Sequence, residues 1–316
     1  MLPALKFVQG AVAKKDFVPA LTHFKIADGK VRGYNGSMAL CGPIDLDLDV
    51  TPRALQFVKA IETCKETIAI HLTPNGRLSI KSGAFKAFVE CTDEAYPEIE
   101  PEGEVVQPDG GFLTALRTLA PFIADDASRP WARGIVFRGG SAFATNNVIL
   151  AEYWLGYTFP VEVNIPKTAV TELLRIGEEP EKLQVSTNSV TFHFKGDRWL
   201  RTQLWDTSWP DLSSILNREC DPQPLHPQLW EAVETLAPFT DELGRLYLGN
   251  EAVATSPVDG AGASFALPGF SVAGCYNHRH LSLIREVVEK IDMTRYPDPC
   301  LFFGKNMRGA IIGMRG

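Results

Sequence analysis

The five residues TLAPF stand at Thr118–Phe122 and again, letter for letter, at Thr235–Phe239. A short apolar match carries weight only if its surroundings match as well, and they do. The first copy lies in GFLTALRTLAPFIADD from Gly111, where Phe112, Leu116, Leu119 and Phe122 recur at spacings of three and four, which predicts one apolar stripe along a helix. The second lies in PQLWEAVETLAPFTDEL from Pro227. Pro121 and Pro238 have no amide to offer a continuing helix, so each phrase is predicted to be a helix end. LPALKFVQGAVAKK from Leu2 has the same amphipathic character.

Outward from these helices the order of segments repeats. Each is followed by a β-rich run, a Gly-containing turn and a second run: HFKIADGKVRGYNG, GIVFRGGSAFATNN and GRLYLGNEAVATSP, three hairpin signals. A second helix follows in each pass. Thr51-Pro52 precedes RALQFVKAIETCK, Asn164-Ile165-Pro166 precedes KTAVTELLRIG, and Asn277 precedes HRHLSLIREVVEKI. Their expected core faces are Leu55, Val58 and Ile61; Val170, Leu173 and Leu174; and Leu281, Ile284, Val288 and Ile291. Gly177 reads as a helix stop. Each pass closes with a further strand pair, and the first two end on an aromatic-Pro-acid-apolar signature, YPEI at Tyr96–Ile99 and WPDL at Trp209–Leu212.

The chain therefore reads as α+β, three helix, strands, helix, strands units of about 105 residues, a size usual for small domains. Boundaries are expected in the Pro-rich or acidic joints, giving domains at 1–104, 105–219 and 220–316. Among 316 residues, 45% are hydrophobic, enough for a sizeable core, and the formal charge is −7. That charge argues against a general basic coat for nucleic acid, but leaves room for one basic surface on an acidic exterior. Six dispersed cysteines without a C-x-x-C pair indicate free thiols rather than zinc or a disulfide scaffold. No basic leader or long apolar run is present, so a soluble, cytosolic protein is expected.

In this arrangement the sequence resembles the bacterial β sliding clamps, the processivity subunits of DNA polymerase III, or a phage-encoded relative. The likeness covers the whole chain and is carried most specifically by SRPWARGIVF (Ser128–Phe137), by TNNVILA (Thr145–Ala151), by LSIKSGAFKAFVECTDEAYPEI, and by the tail AIIGMRG from Ala310 to Gly316. It implies three domains of one fold, and two chains joined head to tail into a ring that encircles duplex DNA and tethers a polymerase. It also implies an ATP-dependent clamp loader, and no catalysis, metal or cofactor. The sequence departs from the family at Val148 and Ile149, at Gly313 and Gly316, and in a third first helix that carries Glu231 and Glu234.

A ring that slides must meet phosphates loosely, with dispersed cations rather than base-reading groups. The candidates are Lys6, Lys14 and Lys15 by the first helix, Arg53, Lys59 and Lys65 on the second, Arg117, Lys167 and Arg175 in the middle pass, and Arg279, Arg285 and Lys290 in the third. Arg129 and Arg133, flanking Trp131, match family positions that contact DNA. The resemblance further implies an apolar groove for short partner peptides at Ala132, Thr145, Asn147, Leu150, Ala310, Ile312 and Met314, whose Met and Ile side chains can re-pack around different peptides. The ring contact is expected along the strand Ala84–Cys91, with Phe88 packing across it.

Two other readings compete. An enzyme would need a site. His278 and His280 are spaced by two, which does not put both on one helix face, and no H-E-x-x-H, G-x-S-x-G, G-x-x-x-x-G-K or G-x-G-x-x-G occurs. A trimeric clamp of the eukaryotic and archaeal kind has two such units per chain, not three. A non-catalytic scaffold of repeated α+β units remains from another class.

Overall fold

A computed structural model of the chain describes every residue except Ala127, Asp206, Thr207, Asp259 and Gly316, so the last position of the family-like tail lies outside the described residues. The element order recurs three times. The first pass runs α1 (Leu2–Val8), β1 (Lys25–Ala27), β2 (Lys30–Tyr34), β3 (Met38–Pro43), α2 (Ala54–Thr63), β4 (Ala69–Leu72), β5 (Arg77–Ser82) and β6 (Phe85–Glu90). The second has β7 (Glu104–Val106), α3 (Phe112–Leu119), β8 (Gly134–Arg138), β9 (Ser141–Thr145), β10 (Ile149–Trp154), β11 (Val163–Pro166), α4 (Lys167–Ile176), β12 (Lys182–Val185), β13 (Ser189–Phe194) and β14 (Arg198–Gln203). After a single turn α5 (Ser213–Leu216), the third has β15 (Gln223–Pro224), α6 (Leu229–Leu236), β16 (Arg245–Gly249), β17 (Ala252–Ala254), β18 (Ser264–Ala266), β19 (Gly274–Asn277), α7 (His278–Ile284), β20 (Lys290–Ile291), β21 (Cys300–Gly304) and β22 (Met307–Ile311).

Both TLAPF phrases end a helix as their prolines require. α3 stops at Leu119 and tightens into a 3-10 turn over Ala120–Phe122, and α6 stops at Leu236 and does the same over Ala237–Phe239. Gly177, at φ 71°, donates its amide to the Leu173 carbonyl and ends α4 in the left-handed conformation that a Cβ disfavours. Asn277 caps α7, its side chain accepting from the Arg279 amide. Asp28-Gly29 and Asn250-Glu251 all have positive φ, as two-residue hairpin turns of this hand demand.

Two expectations fail. Leu55 is 41% exposed; the buried face of α2 keeps the expected Val58 and Ile61 and is completed by Ala54, Phe57 and Ala60. α7 ends at Ile284 rather than reaching Ile291. The Glu289 amide donates to the Phe303 carbonyl and Asp292 N to Leu301 O, so this stretch joins β21 as β20. Val288 and Ile291 are still buried, but from a turn and a strand.

The sheets do not respect the repeats. The chain folds as two compact units, Met1–Leu113 with Thr168–Trp205, and Thr114–Lys167 with Asp206–Gly316. In the first unit one seven-stranded sheet runs β1-β2-β3-β14-β13-β12-β7, so the first pass's opening strands pair with the second pass's closing strands through β3 and β14, Trp199 opposite Cys41 to Thr202 opposite Met38. In the second unit an eight-stranded sheet runs β11-β8-β9-β10-β22-β21-β20-β15, and here β10 and β22 make the junction, Ile149 opposite Ile311 to Tyr153 opposite Met307. Each junction is covered by a signature segment. Ile99 of YPEI packs on Ala39, Cys41 and Trp199. Trp209 of WPDL lies buried among Val136, Leu150, Leu301 and Ala310.

Two half-sheets remain. The first unit contains β4-β5-β6, of the closing-strand type, with β6 as a free edge. The second contains β18-β17-β16-β19, of the opening-strand type, with β18 as a free edge.

Candidate functional site

The groove expected from the sequence lies within the second unit, beside the β10/β22 junction. The turn that shapes it is built by its own side chains. Asn147 adopts φ 73°, a conformation Asn tolerates, and its amide donates to Thr145 Oγ1 at 3.1 Å. Thr145 Oγ1 in turn donates to the Ile149 carbonyl at 2.7 Å, and Asn146 Oδ1 accepts from the Val148 and Ile149 amides. Thr-Asn-Asn is thus a turn whose polar side chains replace missing backbone partners.

Around it is a groove of about 170 Å³ lined by Leu150 and Ala310, by Val148 and Ile312, and by Leu212, Ile215 and Pro299. Leu150 and Ala310 are almost fully buried, whereas Ile312 is 42% exposed, so an apolar ligand would gain contact chiefly from the rim. Arg129 stands at the mouth, its Nη1 donating to Asn147 Oδ1 at 3.0 Å. Five of the seven residues named for the pocket, Thr145, Asn147, Leu150, Ala310 and Ile312, line it. Ala132 and Met314 do not. Ala132 is wholly buried, its carbonyl accepting from the Ala124 amide, and Met314 is held by its backbone between Cys275 and Tyr296.

Trp131, expected to contact DNA, lines this groove. Its ring packs edge-on against Trp209, with centroids 5.0 Å apart. The reason is the apolar patch left over the junction, which an indole fills better than water does. Leu212, Ile215 and Pro299 were not anticipated. Leu212 belongs to WPDL, and its signal was the signature's repetition, since both copies cover a junction.

The basic candidates fall into separate places. In the first unit Lys14 and Arg53 line one hollow of about 220 Å³ with Ala13, Thr22, Leu55 and Gln56, and Lys15 and Lys59 are exposed. Lys6 pairs with Glu62 at 2.8 Å. Arg175 is not a free surface cation. It is ion-paired with Glu172, which is 6% exposed, and its Nη2 donates to the Phe7 carbonyl at 2.8 Å. A hydrogen bond to Glu172 raises the Arg175 pKa, against the opposing effect of its burial. Gly10 completes this arrangement, because a Cβ there would fall 1.7 Å from Glu172 Oε1.

In the second unit Arg117 and Arg279 are exposed and Arg133 is half-buried. Lys167 pairs with Asp125 at 2.5 Å, and its hydrogen bond holds the Asp125 carboxyl below its usual range. Arg285 pairs with Glu234, so the acid that departs from the family pattern neutralises a cation at the C-terminal end of the next helix. Phe88, on the free edge β6, is 53% exposed with Lys86 Nζ 4.8 Å from its ring centre.

All six cysteines are free thiols. Among the described residues no group of His, Cys, Asp and Glu has the arrangement of a metal site, and no helix is long and apolar enough to cross a membrane.

No family profile matches the sequence, and no curated protein matches it significantly. Solved structures do. The beta sliding clamp of C. crescentus superposes with a TM-score of 0.84 at 17% identity, over 100% of this chain and 97% of that one. The DnaN sliding clamp, DNA polymerase III subunit beta, of Bartonella birtlesii, solved with griselimycin bound, gives 0.83 at 17%, and a clamp from Bacillus subtilis gives 0.82 at 17%, both with the same coverage. The chain has the fold of the bacterial sliding clamps over its whole length.

Proposed function

We propose that this chain is a DNA sliding clamp, a non-catalytic processivity factor that closes into a ring around duplex DNA and tethers a polymerase. The observation that carries the reading is the pair of leftover half-sheets. At each internal junction the third opening strand of one pass pairs antiparallel with the last closing strand of the next, β3 with β14 and β10 with β22. β18 is the unpaired strand of the first kind and β6 of the second. A second copy supplies each with its missing partner, which joins the third pass of one chain to the first of the other. Repeating the operation closes a two-fold ring and leaves neither β6 nor β18 as an open edge to aggregate.

On this reading the passes 1–104, 105–219 and 220–316 are three domains of one kind, and the ring carries six. Lys14, Lys15, Arg53, Lys59, Arg117, Arg129, Arg133, Lys167, Arg279 and Arg285 provide dispersed cations for the phosphate backbone. The exposed pairs Lys167–Asp125 and Arg285–Glu234 exchange readily, because surface ion pairs contribute little. The groove at Thr145, Leu150 and Ile312 takes an apolar peptide segment from a polymerase and from an ATP-dependent clamp loader. Phe88 packs across the closing joint.

Light scattering over a concentration series, followed by retention on circular and on linearised DNA after loading, tests this. A particle of 69.6 kDa, twice the chain mass of 34.8 kDa, held by circles and lost from linear ends, is the expected result. A monomer at every concentration, indifferent to DNA topology, rejects it in favour of a repeat scaffold.

A further inference from the structure

One exposed aromatic side chain lies apart from the groove and the sheet edges. Phe17 is fully solvent-exposed, the most exposed large apolar residue of the described chain, and Val18 beside it is 49% exposed. It stands in AKKDFVP, between α1 and β1. The loop is not loose at its base: the Ala13 amide donates to the Leu21 carbonyl at 2.8 Å, and a 3-10 turn over Pro19–Thr22 follows. Its tip is folded by Asp16, whose Oδ1 accepts from the Val18 amide at 2.9 Å. That turn engages the loop's one acid and leaves the ring of Phe17 outside.

The surroundings are cationic. Lys14 and Lys15 precede the tip and are exposed, and Arg53 shares a hollow with Lys14 and with the half-exposed Leu55. Among the described residues none of the three cations is in an ion pair. A π face presented on a pinned loop beside three unpaired cations matches a nucleobase joined to phosphates, because stacking uses the ring and the backbone uses the charge. A paired base offers no free face inside a duplex, so away from a duplex end the ring can engage only a base that is unpaired.

We infer that Phe17 is a stacking residue for unpaired bases, with Lys14, Lys15 and Arg53 holding the adjoining phosphates, so that the protein distinguishes a primer-template junction from continuous duplex. This rests on the clamp reading only for its biological setting.

The test is direct binding of the full-length protein to a primer-template oligonucleotide carrying 2-aminopurine in the first unpaired positions, with a blunt duplex of equal length as control. Wild type should quench the 2-aminopurine emission and prefer the junction. Phe17→Ala should abolish the quench and weaken junction binding about 10-fold, leaving duplex binding unchanged. Phe17→Trp should restore both, and Phe17→Leu should not. Lys14→Ala with Lys15→Ala should lower affinity for both DNAs and flatten the salt dependence by about 1.5 in slope. Equal quenching by wild type and Phe17→Ala overturns the inference. So does full rescue by Leu, which would mark an apolar protein contact, and so does an unquenched wild type. Retention on circular DNA, measured on the same samples, reports separately on the clamp reading.

Discussion

Arg308→Met should destabilise the second unit by about 3 kcal/mol, and the reasoning comes from the β10/β22 junction. Glu152 and Arg308 face each other in its register. Glu152 is 6% exposed; its Oε2 accepts from Arg308 Nε at 2.6 Å and its Oε1 from Ser141 Oγ at 2.7 Å. Arg308 Nη1 also donates to the Leu216 carbonyl at 3.1 Å. Removing the guanidinium leaves a buried carboxylate with one neutral donor. Breaking a buried pair from one side costs roughly 3–5 kcal/mol, and the low end applies because the Arg308 side chain is 24% exposed, which lets water reach the vacated site. Replacing both partners, Glu152→Leu with Arg308→Met, should cost only about 1 kcal/mol, since no charge is stranded. Urea unfolding gives the free energies, and hydrogen exchange of the β10 and β22 amides localises them. If the double variant is as unstable as Arg308→Met alone, a stranded Glu152 carboxylate is not the cause of the loss and the stated origin of the roughly 3 kcal/mol is wrong.

Ile312→Asp puts a charge on the exposed wall of the groove and should abolish binding of an apolar partner peptide while changing stability by under about 1 kcal/mol, as read by fluorescence anisotropy and thermal unfolding. Phe88→Ala should weaken self-association about 10- to 30-fold, measured by sedimentation over a dilution series, because an aromatic anchor at a joint contributes roughly 2 kcal/mol. His23, His193, His278 and His280 all have pKa values lowered, first by burial, so the unfolded chain takes up protons near 6.5 that the folded chain resists. Their contribution is intact above pH 6.5 and is lost as pH falls below it, so the urea midpoint should drop between pH 6.5 and 5.5, before the carboxylates titrate. A flat midpoint across that window would contradict the assignment.

Much of the fold was legible because its signals are local. Proline position ended α3 and α6, Gly177 ended α4, and hairpin turns announced themselves by Gly, Asn and Asp. What escaped depends on partners distant in the chain. Alternation shows that β3 and β14 are strands but not that they pair, and Trp131 reads equally well as a DNA contact until Trp209 is placed beside it. Leu55 and Ile291 fit a helical stripe on spacing, but packing of neighbouring elements decided their environment. For the groove, Thr145 to Leu150 and the tail from Ala310 were found through resemblance. Leu212, Ile215 and Pro299 come from linkers whose course no periodicity encodes.

The first unit is made from two separated stretches, Met1–Leu113 and Thr168–Trp205. That division has a consequence for birth of the protein on the ribosome. β3 emerges early, but the strand that covers it, β14, is still to be translated, and roughly 15 s pass between them at ordinary elongation rates of about 10 residues per second. During that interval an apolar strand edge is open, and the nascent chain is a natural client for a chaperone. Construction from three similar passes is therefore not modular in time: the first pass cannot finish folding until the second has been made, and the second waits in the same way for the third.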